Sequence, residues 1–99
     1  MNKRTKALQI PQRVKRSVYD RDRGRCIMCG ATGDPVAHYI SRAQGGLGIE
    51  QNVVTLCCRC HREYDQGPHR RAIKSQLADY LRSRYPGWDE TKLTYRKGG

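Results

Sequence analysis

The sequence has no apolar run long enough to span a membrane or to form the core of a signal peptide, and its basic start, MNKRTK, is not followed by a hydrophobic stretch. A cytoplasmic protein with no membrane partner is therefore expected, in the host cytoplasm if the source is viral. Acidic residues are scarce: 9 Asp and Glu stand against 20 Lys and Arg, giving a formal charge of +11. An excess of this size points to a polyanion, with nucleic acid as the default partner. There is no internal repeat and no low-complexity segment. At 99 residues the chain is one small domain, short enough that a covalent or metal staple is expected to supplement its core. Five cysteines are available for that role.

Residues 1–10 read as a basic flexible arm whose charges could follow phosphates. From Pro11 a short helix is expected, with Val14 and Val18 on one face, Gly24 as its stop, and Arg13, Lys15 and Arg16 as an outward basic face for DNA. CIMCGATGDP, residues 26–35, is a Cys-x-x-Cys followed by a glycine-rich turn. VAHYI, residues 36–40, reads as a strand, and VVTL, residues 53–56, as an antiparallel partner. Between them SRAQGGLGIEQN is long for a hairpin loop, and loops of that length in small domains tend to carry function.

CRCHREYDQ has helical spacing, with His61 and Asp65 one turn apart on a shared face. A second helix is expected from His69 to Tyr85, with an apolar stripe of Ala72, Ile73, Leu77, Tyr80 and Leu81 and with Arg70, Arg71, Lys74 and Arg82 outside. Trp88 and Leu93 should fold back onto it, and the last residues should be loose. Residues 11–67 thus form the expected core, with residues 68–99 packing on it as a helix and tail.

Cys26-x-x-Cys29 and Cys57-x-x-Cys60 are pairs of equal internal spacing, each suited to placing two thiolates on a tetrahedral Zn²⁺. The two pairs lie far apart in sequence, so the strand–loop–strand unit is inserted between them. Four thiolates complete a structural site, which leaves Cys58 free and His61 unneeded by this zinc. Three alternatives are weaker. Cys58 in place of Cys57 gives a spacing too tight for the common knuckle, a Cys₃His set would put adjacent residues on one metal, and disulfides are disfavoured by compartment and by the odd count.

The run AHYISRAQGGLGIEQNVVTLCCRCHREYD resembles the His-Asn-His (HNH) endonucleases in their small, zinc-stapled, phage-type form. The matching features are His38 at the end of the first strand, Gly45-Gly46, Asn52, and Cys57 to His61 where the second strand meets the helix. The resemblance implies a small α+β fold, a ββα-metal (His-Me finger) motif with a Cys₄ zinc site and flanking helices. It further implies a metal-dependent nuclease that nicks DNA with low sequence specificity, leaving 5′-phosphate and 3′-hydroxyl ends, in phage genome processing or packaging. Other packaging proteins would then be further partners.

By this resemblance His38 is the general base, an imidazole that can take a proton from water near neutral pH. His61 and Asp65 are ligands of a catalytic divalent cation, Mg²⁺ or Mn²⁺ with Zn²⁺ or Ni²⁺ as alternatives. Asn52 holds the loop that aims His38, and Arg42 clamps a neighbouring phosphate. Many members place an Asp or His just before the general base as a further ligand. This chain has Ala37 there, so the cation would rest on His61, Asp65, water and substrate, with Asp34 as a residue that could reach in. Ala37 is also the best argument for the competing function, a zinc-stapled DNA-binding module without catalysis. A protein-interaction zinc module is disfavoured by the charge.

Overall fold

The computed structural model describes residues 2–96. In chain order the elements are α1 (Lys3–Leu8), α2 (Gln12–Asp22), β1 (Asp34–His38), β2 (Val53–Leu56), α3 (Cys58–Gln66) and α4 (Arg70–Arg84), with short 3₁₀ turns at Arg42–Gln44, Glu50–Asn52 and Glu90–Lys92. The fold is α+β: β1 and β2 form one antiparallel pair, with Ala37 opposite Val54 and His38 opposite Val53. All four residues of β2 are buried, because helices cover both of its faces. Val53 packs with Val14 and Val18 of α2, whereas Val54 and Leu56 join Tyr64 of α3 and Leu77 and Leu81 of α4. Period-two alternation thus divides one short strand between two apolar clusters.

Helix α2 begins after Pro11 and ends at Arg23 and Gly24, both in the left-handed region, with the Gly24 amide closing back on the Tyr19 carbonyl. Val14, Val18 and Asp22 share its buried face. The first strand lies two residues earlier than expected, since Tyr39 and Ile40 leave the ladder where the Asn52 side chain bonds both backbone groups of Ile40. In α4 the buried stripe is Leu77, Ala78 and Leu81, with Ile73 and Tyr80 at its edges. Ala72, expected inside, is exposed because it lies about 100° around the helix from Ile73. Leu93 returns to the core, and the Trp88 indole N–H donates to the Gln51 carbonyl across a T-shaped contact with Tyr39.

The expected flexible arm over residues 1–10 is corrected by the structure. Residues 3–8 are helical, capped by the Asn2 side chain on the Thr5 amide at 2.8 Å, and Leu8 is only 3% exposed. A helix this short has little stability of its own. Burial of Leu8 and the bond from the Gly48 amide to the Ala7 carbonyl tether it. Of the tail, Tyr95 is tied to Gly45 by a backbone hydrogen bond, and residues 97–99, expected to be loose, lie outside the described residues.

Adjacent residues that no periodicity marks supply the main polar tie. Arg21 makes a bidentate pair with Asp22 and also donates to the Glu50 and Val53 carbonyls and to the Tyr85 hydroxyl. Asp22 in turn accepts from the Thr55 amide and the Tyr80 hydroxyl. Burial pushes the Asp22 carboxyl up, but hydrogen bonds from Arg21 and Tyr80 and the Arg21 charge outweigh it and hold the pKa below the ordinary value. Its stabilising contribution is therefore present above the unfolded-state pKa and is lost as pH falls through the lower folded one. Arg21→Leu leaves that carboxylate buried without its counter-charge, and a loss of about 3–5 kcal/mol is expected in urea melts at neutral pH. A loss below about 1 kcal/mol would show that water takes over the guanidinium's contacts.

Candidate active site

Cys26, Cys29, Cys57 and Cys60 place their sulfurs within 4.8 Å of one another, and among the described residues theirs is the one cluster of three or more potential metal ligands. Cys58 is outside this cluster and exposed. The donor set and its compactness fit a tetrahedral Zn²⁺, whose Zn–S bonds of about 2.3 Å hold sulfurs just under about 4 Å apart. Without a metal the thiols titrate unequally. A hydrogen bond from the Ala31 amide holds the Cys29 pKa below the ordinary thiol value, the Cys60 amide does the same for Cys57, and burial among the other sulfurs pushes Cys60 up to about 12. Cys57 also caps α3: its sulfur accepts from the Cys60 amide and its carbonyl from the His61 amide. A metal held here therefore fixes the first turn of the helix that carries His61 and Asp65.

One turn along α3, His61 Nε2 lies 3.3 Å from an Asp65 carboxylate oxygen. Two ligands on one octahedral cation with bonds of about 2.1 Å stand roughly 3 Å apart, so this spacing suits a shared divalent ion. Both side chains line an open cleft of about 620 Å³ together with His38, Arg42 and Arg70. His38 enters it from the end of β1, half-buried, with Nε2 2.9 Å from the Leu8 carbonyl. A carbonyl only accepts, so Nε2 carries the proton and Nδ1 is left as the basic nitrogen. Burial lowers the His38 pKa below the ordinary histidine value, with the Arg42 and His61 charges adding to it and the Leu8 bond opposing.

The loop between the strands is held by its own backbone and by both ends of the chain. Asn52 is fully buried: its carbonyl oxygen accepts from the Ile40 amide at 2.8 Å, and its amide donates to the Ile40 and Leu47 carbonyls. Leu47 bonds Leu93, and Gly48 bonds Ala7. Glycine is required at two close approaches, since a Cβ on Gly46 would stand 1.7 Å from the Ile40 oxygen and one on Gly48 would stand 1.8 Å from the Gln9 oxygen.

The cleft thus gathers His38, Arg42, His61 and Asp65, with Asn52 behind the loop. Lys15 and Arg16 line grooves that continue from it along α2, whereas Arg13 is exposed but lines none of these three depressions. Asp34 does not reach the cation position: it opens onto the groove beside Lys15, Arg16 and Tyr19. Ala37 is fully buried in the core. Two participants escaped the sequence reading. The Leu8 carbonyl has no side-chain signature at all. Arg70, taken for a solvent residue, stacks over the Tyr64 ring at 5.0 Å and lines the cleft. Its place after Gly67-Pro68, where α4 starts beside the end of α3, was the available cue.

In comparison with known proteins, the family model described as HNH endonuclease matches residues 26–67. No curated protein and no solved structure matches the chain. Among the described residues no helix is long and apolar enough to cross a membrane.

Proposed function

From the match of residues 26–67 to the HNH endonuclease family model, we propose that the chain is a metal-dependent endonuclease that hydrolyses DNA phosphodiesters one strand at a time. The observation that carries this reading is the convergence of His38, Arg42, His61 and Asp65 on one open cleft in a strongly basic protein. His38 Nδ1 takes the proton from a water aimed at phosphorus, while the Leu8 carbonyl keeps Nε2 protonated and the ring fixed. Arg42 holds a phosphate beside the scissile one, and Arg70 adds positive charge to the same cleft. Asn52 keeps the loop closed so that His38 stays on line. His61 and Asp65 would hold a divalent cation, which would supply charge neutralisation for the reacting phosphate and the departing 3′ oxygen.

The four cysteines act as a structural zinc site, and 5′-phosphate and 3′-hydroxyl ends are the products by family likeness. Phosphate contacts along α2, through Lys15 and Arg16 and with Arg13 on its outer face, account for binding with little sequence reading. Genome processing or packaging in a phage is the setting that the small zinc-stapled form brings by resemblance. The DNA-binding module without catalysis keeps one observation in its favour, the buried Ala37 where a further cation ligand is often found.

Cleavage of supercoiled plasmid separates the two. Conversion to the nicked circle with Mg²⁺ or Mn²⁺, its arrest by EDTA, and a drop of at least about a hundredfold in His61→Ala are expected. Salt-sensitive DNA binding with no nicking under any divalent metal would leave the binding module standing.

A further inference from the structure

The catalytic cleft does not end at His38. A second depression, lined by Lys15, Val36, His38 and Arg42, shares His38 and Arg42 with it, and a third, lined by Lys15, Arg16, Tyr19, Asp34 and Val36, shares Lys15 and Val36 with the second. Through these shared residues the three depressions adjoin one another in a row from Arg70, past the proposed base, along α2 to Tyr19. Tyr19 and Val36 are the two exposed large hydrophobic residues of the described chain, at 51% and 37%, and both stand in this groove. Lys15 and Tyr19 are one helical turn apart and present their side chains to the same side.

Tyr19 is placed as a platform rather than as a core residue. The far end of its ring lies against Gly24, where an added Cβ would stand 2.7–2.8 Å from Cζ, Cε2 and the hydroxyl, while the residue as a whole stays 51% exposed and lines the groove. Cations at Lys15 and Arg16 beside an open aromatic ring form the pair of features that single strands use: phosphates follow the charge, and a base stacks on the ring. Asp34 on the β1 side of the same groove repels phosphate, so the backbone is directed to Lys15 and Arg16 on α2, with Tyr19 one helical turn from Lys15 within reach of a base. In an intact duplex the base faces are already stacked on one another, so an aromatic ring gains this contact only from an unpaired nucleotide.

Resting on the nuclease reading for the position of the cut, we infer that the α2 groove takes an unpaired DNA strand flanking the scissile phosphate, with Tyr19 stacking on one of its bases. The preferred substrates are then gapped, flapped or single-stranded DNA rather than uniform duplex.

The test uses the full chain, zinc-loaded, with a fluorescein-labelled single strand and its matched duplex. Affinities are measured with the structural zinc retained and no added divalent metal, and cleavage rates with Mg²⁺. Wild type should favour the single strand over the duplex. Tyr19→Ala should collapse that ratio by about five- to a hundredfold, the loss of one base–aromatic stack, and Tyr19→Trp should retain it. Zinc content and melting temperature verify that the variants are folded. Affinity of Tyr19→Ala for the single strand equal to wild type, or equal losses on both DNAs, would overturn the groove assignment even if cleavage is robust. Absence of cleavage with every metal would instead overturn the nuclease reading, and the affinity ratios without added divalent metal would still decide the groove.

Discussion

His38→Ala is expected to lower the nicking rate by about 10²–10⁴, the range spanned by loss of a positioned general base. DNA binding without added divalent metal and zinc content should be retained. The expectation rests on geometry. His38 sits at the last position of β1, its Nε2 is engaged by the Leu8 carbonyl, and it shares a cleft with His61 and Asp65. The pH dependence adds a second, independent readout. A base must be unprotonated to act, and burial together with the Arg42 and His61 charges lowers the His38 pKa despite the Leu8 bond. The neutral imidazole therefore persists to lower pH than in an ordinary histidine, of pKa about 6.5. The acid limb of kcat/KM should rise on the acid side of that value. Arg42→Gln removes one of the charges that lower it and should move the limb back upward, as well as weakening phosphate binding. Wild-type nicking by His38→Ala would remove His38 from the mechanism, and an acid limb above the ordinary histidine range would show that another group controls it.

Cys57→Ser, or exhaustive chelation, is expected to remove the bound zinc and with it the cooperative melting transition. Structural zinc in small peptides contributes an apparent binding free energy of about 10–16 kcal/mol at neutral pH, comparable to or larger than the whole net stability of a domain. Cys57 makes the effect local as well as global. It is both a candidate ligand and the cap of α3, so its loss frees the turn that sets His61 and Asp65. Cys58→Ser, one residue away and exposed, should leave zinc stoichiometry at one per chain with melting unchanged. Thiolates must form for metal to bind, and Cys60 resists ionisation in the apo chain. Zinc affinity should accordingly fall as pH is lowered. Zinc assay by a chromogenic chelator and circular dichroism check the pair of variants. Stoichiometric zinc in Cys57→Ser would move the fourth ligand elsewhere.

The legible parts of this chain share a property: their signal is local in sequence. Two Cys-x-x-Cys spacings, β-branched residues at 53–55, His61 and Asp65 one turn apart, and an apolar stripe toward Leu81 are each read within a few positions. The errors came where distant partners decide. Residues 1–10 look like an arm because three basic residues, Lys3, Arg4 and Lys6, dominate their composition, yet burial of Leu8 and the fit of Gln9 against Gly48 outweigh that charge. Ala72 was placed inside because helical periodicity gives a face but not its width. Asp34 was allowed near the cation because the rotation of β1 relative to α3 is not encoded in any spacing. Arg21 and Asp22 drew no attention, since neighbouring opposite charges are common on surfaces and only their burial against Tyr80 and Tyr85 distinguishes them.

By itself, then, the amino-acid order determined the chemistry available: four thiols paired for one metal, an imidazole and a carboxylate on one helix face, a histidine ahead of a glycine-rich loop, and a charge suited to a polyanion. The tertiary structure alone decided which nitrogen of His38 is free, because that depends on a main-chain carbonyl thirty positions away. It also decided that the cleft runs on along α2 to an exposed tyrosine, because a groove exists only between elements whose packing is set by buried side chains distributed over the whole chain. Periodicity and spacing report on one element at a time, whereas tautomer, access and continuity of a surface are properties of several elements meeting.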